Sequence, residues 1–456
     1  MAEERSRAIV LGASMAGLLA ARALSDHFER VTVVERDALP SAVESRKGVP
    51  QGKHAHGLLA SGYRVMDAYF PGMMDELEAA GAPRGDVVGD FLWYQYGGWK
   101  LRHESGLGGM TVSRPALEDR VRRKVRALAN VELVEGWRVE EPLHDATRRA
   151  VVGVRVSDVA SGSEQTLEAD LVVDATGRGS QSPKWLERWG YGRPPTELVR
   201  VDVGYATRLF ERKPHDFRDS MGAIIAGTPP HSTRYAAVLA AEGDRWIVTL
   251  AGMLGDYPPD EETGWLEWAR LLPTPDVHQL AVANRSIGGI AVYRFPANQR
   301  RRYERMKSFP AGYLVVGDAV CSFNPIYGQG MSAAAMESQA LGECLSAEHD
   351  ALARRFFAAA ADVADIPWLI ATGEDLRYPQ VEGKRPPLAG VVNRYMERVH
   401  RVATYDAVVC GRFFDVLNLL APPPALMAQR IARRVMLARV SKRSPVFDAA
   451  GVPDVA

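Results

Sequence analysis

The chain has 456 residues, 46% of them hydrophobic, which is enough for one large or two closely joined domains with a substantial core. Lys plus Arg and Asp plus Glu both number 56, so the net charge near zero gives no indication of a nucleic-acid partner. The three widely spaced cysteines fit neither a disulfide framework nor a metal motif, and neither an apolar leader nor an apolar run of about 18 residues is evident, so the sequence predicts a cytoplasmic protein.

The first predicted elements form a βαβ unit around a glycine-rich turn. Apolar strands are predicted at 8–11 and 31–34, with a helix between them, and Glu35 follows Gly12 by 23 residues. This order and spacing is the dinucleotide fingerprint, in which the turn approaches a pyrophosphate and the acid accepts ribose hydroxyls. Ser14 replaces the usual middle glycine, and its hydroxyl is able to donate to a phosphate. The turn comprises Gly12, Ala13, Ser14, Met15, Ala16 and Gly17.

A polar loop is predicted at 46–56, RKGVPQGKHAH. Arg46 and Lys47 are expected to meet phosphates or the edge of a ligand ring. The pair His54 and His56 suggests a metal site, but without a third ligand nearby, hydrogen bonding within the loop is the favoured interpretation.

Further along, an aromatic stretch at 91–100 either lines a substrate cavity, with Trp93 as a candidate, or packs a core. Ser113 or a neighbour is predicted to cap the helix that follows it, and Arg114 at its start is the arginine able to point inward. The strand at 168–173 ends in small residues at 174–179, which are able to pass beneath the adenosine half of a cofactor.

Longer antiparallel strands are predicted between 199 and 253, because polar and apolar residues alternate there between turns. A shorter strand is predicted at 221–226. Such a sheet is expected to form one wall of a closed ligand cavity. Tyr205 and Arg208 are candidates to face that cavity, although structural roles fit them equally well.

A second nucleotide-type segment lies at 313–332. Its strand at 313–316 is followed by Asp318, a loop rich in Pro and Gly, and a helix after Gly330. Together with the N-terminal turn, this segment indicates one long ligand held at both ends, which FAD fits better than NAD. Asp318 is expected at the ribityl hydroxyls and 325–331 along the isoalloxazine, where the helix would stabilise negative charge on the reduced ring.

The remaining chain is predicted to be mostly helical, at 351–363 and 390–420. The segment 425–443 is basic and amphipathic. A membrane-surface helix has this pattern, but a helix docked on the body with a solvated basic face is favoured.

Five motifs together resemble one enzyme family: GASMAG with VVERD, RKGVPQGKHAH, SRPALEDRV, DATGRGS and VVGDAVCSFNPIYGQGMS. They resemble the group A flavoprotein monooxygenases, the para-hydroxybenzoate hydroxylase superfamily. Within it, the second, fourth and fifth motifs are most similar to the actinomycete epoxidases that act on polyene intermediates of polyethers. The matching motifs span residues 8 to about 335 and occur in the family's order.

The resemblance implies an α/β fold with a Rossmann-like FAD-binding domain at 1–195 and 290–345. An inserted antiparallel substrate domain at 196–289, with parts of 85–112, and a helical C-terminal region at 346–456 complete the predicted architecture. The FAD-binding residues implied are Gly12, Ser14, Met15, Ala16, Gly17, Glu35, Arg36, Arg46, Arg114, Val139 (through its backbone), Gly177, Asp318, Pro325, Gly328, Gln329, Gly330 and Met331. Substrate contacts are predicted for Trp93, Tyr205, Arg208 and Tyr327.

The resemblance also implies chemistry without a catalytic side chain or a metal. A reduced flavin reacts with O2 to give a flavin hydroperoxide, which epoxidises or hydroxylates a hydrophobic polyketide or terpenoid-like substrate. Electrons are expected from NADPH or NADH, directly or through a partner flavin reductase, since no second dinucleotide motif is present. An aromatic hydroxylase and an FAD-dependent reductase of isoprenoid double bonds are the alternatives. Halogenases of this fold carry a Trp-x-Trp-x-Ile-Pro signature, which this sequence lacks.

Overall fold

The computed structural model describes residues 6–347 and 351–439, so the predicted helical residues 440–443 lie outside the described part. In chain order the strands are β1 (Arg7–Leu11), β2 (Arg30–Glu35), β3 (Arg84–Asp86), β4 (Phe91–Gln95), β5 (Gly98–Trp99), β6 (Gly108–Met110), β7 (Val131–Glu135), β8 (Trp137–Asp145), β9 (Ala150–Asp158), β10 (Glu164–Glu168), β11 (Leu171–Asp174), β12 (Thr196–Glu211), β13 (Gly222–Ile225), β14 (Arg234–Ala241), β15 (Arg245–Gly252), β16 (Ser286–Arg301), β17 (Tyr313–Val315) and β18 (Cys321–Ser322). The helices are α1 (Met15–Ser25), α2 (Ala60–Tyr69), α3 (Met73–Ala79), α4 (Arg114–Arg126), α5 (Ser182–Arg188), α6 (Glu262–Arg270), α7 (Asp276–Ala283), α8 (Gly330–Ser346), α9 (Leu352–Asp375), α10 (Ala389–Val402), α11 (Ala407–Leu417) and α12 (Gln429–Leu437).

A five-stranded parallel sheet forms the centre of the nucleotide-binding half, in the order β17-β11-β1-β2-β7. All four residues of β11 are buried, so both faces of this strand are covered, as is usual in parallel sheets. Leu18 of α1, Leu117 of α4 and Leu341 of α8 pack into the same core. A three-stranded antiparallel sheet, β10-β9-β8, adds Val154 and Val156 to this core.

An eight-stranded sheet forms the second half, in the order β18-β16-β12-β15-β14-β13-β4-β5. Its pairs are antiparallel except for β13 with β4, which is parallel. One face packs against α6 and α7 through residues such as Phe210, Trp246 and Trp265. The opposite face is turned toward the candidate site described below.

Strand β16 crosses the predicted domain boundary at 289/290. It pairs with β12 from Thr196 opposite Arg301 to Phe210 opposite Ser286, so residues up to 301 belong to the antiparallel sheet. The sequence did not predict this strand because it contains Gly288, Gly289 and Pro296, and glycine and proline normally indicate turns. The predicted α/β class, with its parallel sheet, antiparallel sheet and helical C-terminal region, is confirmed.

The C-terminal helices differ from the predicted ranges. Helix α9 continues to Asp375, well past the predicted end at 363, and the predicted helix at 390–420 is divided into α10 and α11. The division occurs at Asp406, whose side chain accepts hydrogen bonds from the amides of Val408 and Val409 and so begins α11.

Helix α9 is long and apolar enough to cross a membrane by length and composition, which differs from the expectation that no such segment exists. Phe356, Phe357, Ala360 and Ala364 are nevertheless part of the main hydrophobic core. At its end, the carboxylate of Asp375 is fully buried and hydrogen-bonded to other elements. The helix therefore packs as part of the folded body.

Candidate active site

The glycine-rich turn is closely packed against the neighbouring loop and against itself. Gly12 has a φ of +100°, and an added Cβ would lie 3.0 Å from the backbone oxygen of Ala175. A Cβ on Gly17 would lie 1.8 Å from the backbone oxygen of Gly12, so no side chain fits there. Ser14 precedes α1, and its hydroxyl accepts a hydrogen bond from Arg114 at 3.0 Å. The turn thus directs the amides at the start of α1 into an open cavity.

That cavity, called the cofactor cavity below, has a volume of about 1480 Å³ including its open mouth. Residues of both predicted nucleotide segments line its wall. The predicted cofactor residues that line it are Ser14, Met15, Ala16, Arg114, Gly177, Asp318, Pro325, Gly328, Gln329, Gly330 and Met331. The two segments, some three hundred residues apart in sequence, therefore face one elongated space, as a ligand held at both ends requires.

Glu35 lies beneath the turn and belongs to a buried ionic network. One carboxylate oxygen accepts a hydrogen bond from the amide of Ala13 at 2.8 Å and lies 3.1 Å from Arg46. The other oxygen accepts from the amide of Asp37 at 3.0 Å, which leaves it one further acceptor position for a ligand hydroxyl. The prediction that Glu35 accepts ribose hydroxyls is compatible with this geometry.

Arg46 does not line the cofactor cavity, which differs from its predicted contact with phosphate or ring. Its guanidinium lies 3.1 Å from each of the carboxylates of Glu35, Asp37 and Glu118. Burial lowers the pKa of Arg46, but these carboxylates outweigh burial and the net pKa is raised. Glu118 also binds Arg114 at 3.2 Å, so Arg46 supports the cavity wall through its neighbours.

Two other predicted cofactor residues lie away from the cavity lining. The side chain of Arg36 is 64% exposed, with its nearest carboxylate, Asp37, 3.8 Å away. Val139 lies in β8, half-buried and paired with Val156. Their roles at the adenosine end stay predictions.

The second nucleotide segment presses against the first. Gly317 has a φ of +63°, and an added Cβ would lie 2.6 Å from the side chain of Ala16. Asp318 follows it in the wall of the cavity, open to water on that side and surrounded by protein on the others. Burial raises the pKa of Asp318, while the positive charges of Arg114 and Arg178 lower it. Position 317 requires glycine, because the two nucleotide segments touch there.

The start of α8 supplies polar groups to the same cavity. Gln329 is buried in the cavity wall, and its side-chain oxygen has no hydrogen-bond partner among the described residues. An unpaired buried acceptor is costly unless a ligand satisfies it, so it suits a ligand that presents an N–H group. Together with the dipole of a 17-residue helix, this wall fits an electron-rich heterocycle such as a flavin.

An apolar cavity of about 1090 Å³, its open mouth included, adjoins the cofactor cavity. The open face of the large sheet, α11 and the loop at 325–328 enclose it. Trp93, Tyr205 and Tyr327 line it, as the sequence predicts. Among the described residues its wall contains no Asp, Glu, Lys or Arg. Ala55, His56, Gly57, Tyr205, Pro325 and Gly328 line both cavities.

Arg208 does not face either cavity, which corrects its prediction as a substrate residue. Side chains alternate along β12, so Tyr205 and Thr207 share one face, where Tyr205 lines both cavities and Thr207 contacts His54, while Arg208 faces α6. There its guanidinium lies 3.0 Å from the Glu262 carboxylate and donates a hydrogen bond to the Ser286 hydroxyl at 2.9 Å. A one-residue difference in position along a strand decides between the two faces.

Both histidines of the loop at 46–56 are hydrogen-bonded, His54 to strand β12 and His56 within the loop. His54 Nδ1 lies 2.7 Å from the Thr207 hydroxyl, and His56 Nδ1 lies 2.9 Å from the backbone oxygen of His54. Within residues 6–347 and 351–439, no group of three or more His, Cys, Asp or Glu side chains is placed to hold a metal ion.

Two buried acids next to the cofactor loops were not predicted. Glu337 of α8 accepts a hydrogen bond from the amide of Gly317 at 2.6 Å, and burial raises its pKa to about 8. Asp375 of α9 accepts from Asn298 at 2.7 Å, Asn324 at 3.0 Å and Tyr327 at 2.8 Å. Asp375 thereby ties the C-terminal region to the loop between the cavities, and no local sequence pattern marks it.

Comparison with known proteins agrees with this geometry. Residues 5–357 match the family model described as an FAD binding domain. The chain is 38% identical over 368 residues to Protein Rv3254 of Mycobacterium tuberculosis, covering 76% of this chain and 74% of that one. It is 26% identical over 375 residues to kynurenine 3-monooxygenase of Salinispora tropica, covering 77% and 75%. The crystal structure of the flavin-dependent halogenase CmlS shares the fold at 15% identity, with a TM-score of 0.65 over 89% of this chain and 74% of that one.

The chain belongs to the FAD binding domain family, and it is an FAD-dependent monooxygenase. The match covers both nucleotide segments that form the cofactor cavity. It ends in α9, before α10, α11 and α12.

Proposed function

We propose that the protein epoxidises or hydroxylates an uncharged, largely hydrophobic molecule of the polyketide or terpenoid type, in specialised metabolism. One observation carries this proposal: the apolar cavity adjoins the cofactor cavity, and its described lining contains no charged side chain. A carboxylate or ammonium group on a substrate would lose its hydration there without gaining a partner. The resemblance to polyether epoxidases supports an alkene as the reacting group.

The residues present suit FAD. Gly12, Ser14 and Arg114 would hold the pyrophosphate, Asp318 the ribityl hydroxyls, and 325–331 the ring. When bound and reduced, FAD supplies the electrons that activate O2 for transfer of one oxygen atom to the substrate.

The chain's own contribution is to position the substrate and to exclude water. Trp93, Ile224, Leu239 and Phe414 give the substrate an apolar wall, and the loop at 325–328 forms the boundary with the cofactor. An apolar wall favours this chemistry because water near a reactive oxygen species promotes its wasteful breakdown. Orientation of the reacting double bond then depends largely on shape, since no Asp, Glu, Lys or Arg among the described residues lines this cavity.

The electron source is NADPH or NADH in this proposal, acting directly or through a partner flavin reductase. The absence of a second dinucleotide motif in the sequence supports a nicotinamide that binds transiently. The substrate and O2 are the other partners.

The test begins with the visible spectrum of the purified protein. NADPH or NADH is added without oxygen, with and without polyene alkenes, isoprenoid alkenes or phenols, and a flavin reductase is supplied in parallel samples. We expect flavin reduction, reoxidation on admitting air, and a product that contains one oxygen atom from labelled O2. Saturation of the double bond without O2 consumption would instead establish the reductase alternative, and ring hydroxylation of a phenol would establish the aromatic hydroxylase.

A further inference from the structure

His56 lies where the cofactor cavity and the apolar cavity meet. It lines both cavities, in a loop that passes between them. Most other polar side chains in the wall of the apolar cavity are already hydrogen-bonded within the protein, such as Thr249, Tyr327 and Asn418, so an unpaired hydrogen-bonding group at its inner end has a large effect on which ligand fits. The protonation and orientation of this ring therefore decide what the junction recognises.

The hydrogen-bonding role of each His56 nitrogen follows from its contacts. Nδ1 lies 2.9 Å from the backbone oxygen of His54, and a carbonyl oxygen only accepts, so Nδ1 carries the hydrogen. In the neutral ring Nε2 is then an acceptor, and it has no hydrogen-bond partner among the described residues. Burial, with the charge of Arg114, lowers the pKa of His56 to about 3, so the ring is neutral at physiological pH.

The carbonyl that orients His56 is itself fixed by the large sheet. His54 Nδ1 lies 2.7 Å from the Thr207 hydroxyl, which lies 2.7 Å from the Thr249 hydroxyl. The amide of Ala55 donates to the same Thr249 hydroxyl at 2.9 Å. Two paired strands, β12 and β15, thus hold the loop through the His54 side chain and the Ala55 amide. The imidazole is preorganised, which reduces the entropy lost when a ligand binds.

A donor lies at the same junction. The hydroxyl of Tyr205 is buried and has no acceptor for its hydrogen in the described part of the chain. An acceptor at His56 Nε2 and a donor at Tyr205 together match a hydroxyl group, which donates and accepts at once. A ketone or an ether oxygen only accepts, and would leave Nε2 unpaired.

We propose that His56 is a specificity-determining residue, whose Nε2 accepts a hydrogen bond from a substrate hydroxyl placed next to the bond that is oxidised. This proposal rests on the proposed function, because it assumes that the rest of the substrate is apolar. It narrows the substrate class to hydrophobic alcohols or phenols, with the hydroxyl at the flavin end of the apolar cavity.

The test measures binding to the oxidised FAD-loaded protein, followed by the change in its flavin absorption spectrum. The probes are geraniol, farnesol and geranylgeraniol, each paired with its methyl ether. Three proteins are compared: wild type, His56→Phe, which removes the acceptor, and His56→Gln, which retains one. FAD content measured for each variant serves as the control for folding.

We expect wild type to bind the best-fitting alcohol about fivefold more tightly than its ether, the ratio that one typical net hydrogen bond gives. His56→Phe should reduce this ratio to about one, and His56→Gln should keep most of it. Equal binding of alcohol and ether by wild type would overturn the His56 proposal alone. Because this comparison uses only the wild-type protein, it tests the proposal even if His56→Phe loses FAD. Failure of every probe to perturb the wild-type flavin would overturn the proposed apolar substrate site as well.

Discussion

Asp375 should make this protein less stable as the pH rises from about 4 to about 7. Its side chain is fully buried, and burial raises its pKa from 3.8 to about 7. Hydrogen bonds from Tyr327, Asn298 and Asn324 favour the anion and limit that shift. Between these pH values the folded protein holds a proton that the unfolded chain has lost, so stability is full below about pH 4 and falls as the pH approaches 7.

The variant Asp375→Asn removes this titration with little change in volume. At about 1.4 kcal/mol per pH unit, the two units between pH 5 and the folded pKa correspond to about 3 kcal/mol. We therefore expect the free energy of unfolding of wild type, minus that of the variant, to fall by about 3 kcal/mol from pH 5 to pH 8. The variant also places an amide nitrogen where a carboxylate oxygen accepted a hydrogen bond. Losing that hydrogen bond costs about 1–3 kcal/mol of stability at both pH values.

The measurement is urea unfolding of both proteins at pH 5 and pH 8, with the same excess of FAD in every sample. Asp362→Asn is the matched control, because Asp362 lies exposed on the same helix. It should follow wild type at both pH values. If Asp375→Asn also changes in parallel with wild type, within about 0.5 kcal/mol, Asp375 is ionised in the folded protein at pH 5 and the reasoning from burial is wrong.

Three further substitutions and one control variant test the site. Asp318→Ala should purify with much less flavin than wild type, because it removes the acceptor expected at the ribityl chain, and full occupancy by absorbance would contradict that placement. Gly17→Ala should abolish FAD binding or folding, since its Cβ would lie 1.8 Å from a backbone oxygen, whereas Gly373→Ala, with nothing within 4 Å, should retain flavin and fold normally in circular dichroism. Arg208→Ala should leave KM for the substrate unchanged because the side chain faces away from both cavities, and a large rise in KM would return it to the site.

Much of the candidate site was predictable because its chemistry is local. The turn that includes Gly12 and Gly17 is a short pattern whose spacing reports a close backbone approach. Asp318 follows a recognisable buried strand, so its position at the end of that strand was predictable as well. Side chains that face the apolar cavity were harder, since Tyr205 and Arg208 occupy one strand and differ only in the face they occupy.

By itself, the sequence determined the class of fold, the two nucleotide segments and the neutral overall composition, because these depend on patterns within a few tens of residues. Only the tertiary structure decided that Asp375 supports the loop at 325–328, that Arg46 joins a network of three carboxylates, and that His56 lines both cavities. Each of these depends on contacts between residues far apart in the chain. The physical reason is that burial and hydrogen-bond partners arise from packing, and periodicity along a sequence does not encode which distant side chain arrives opposite a given one.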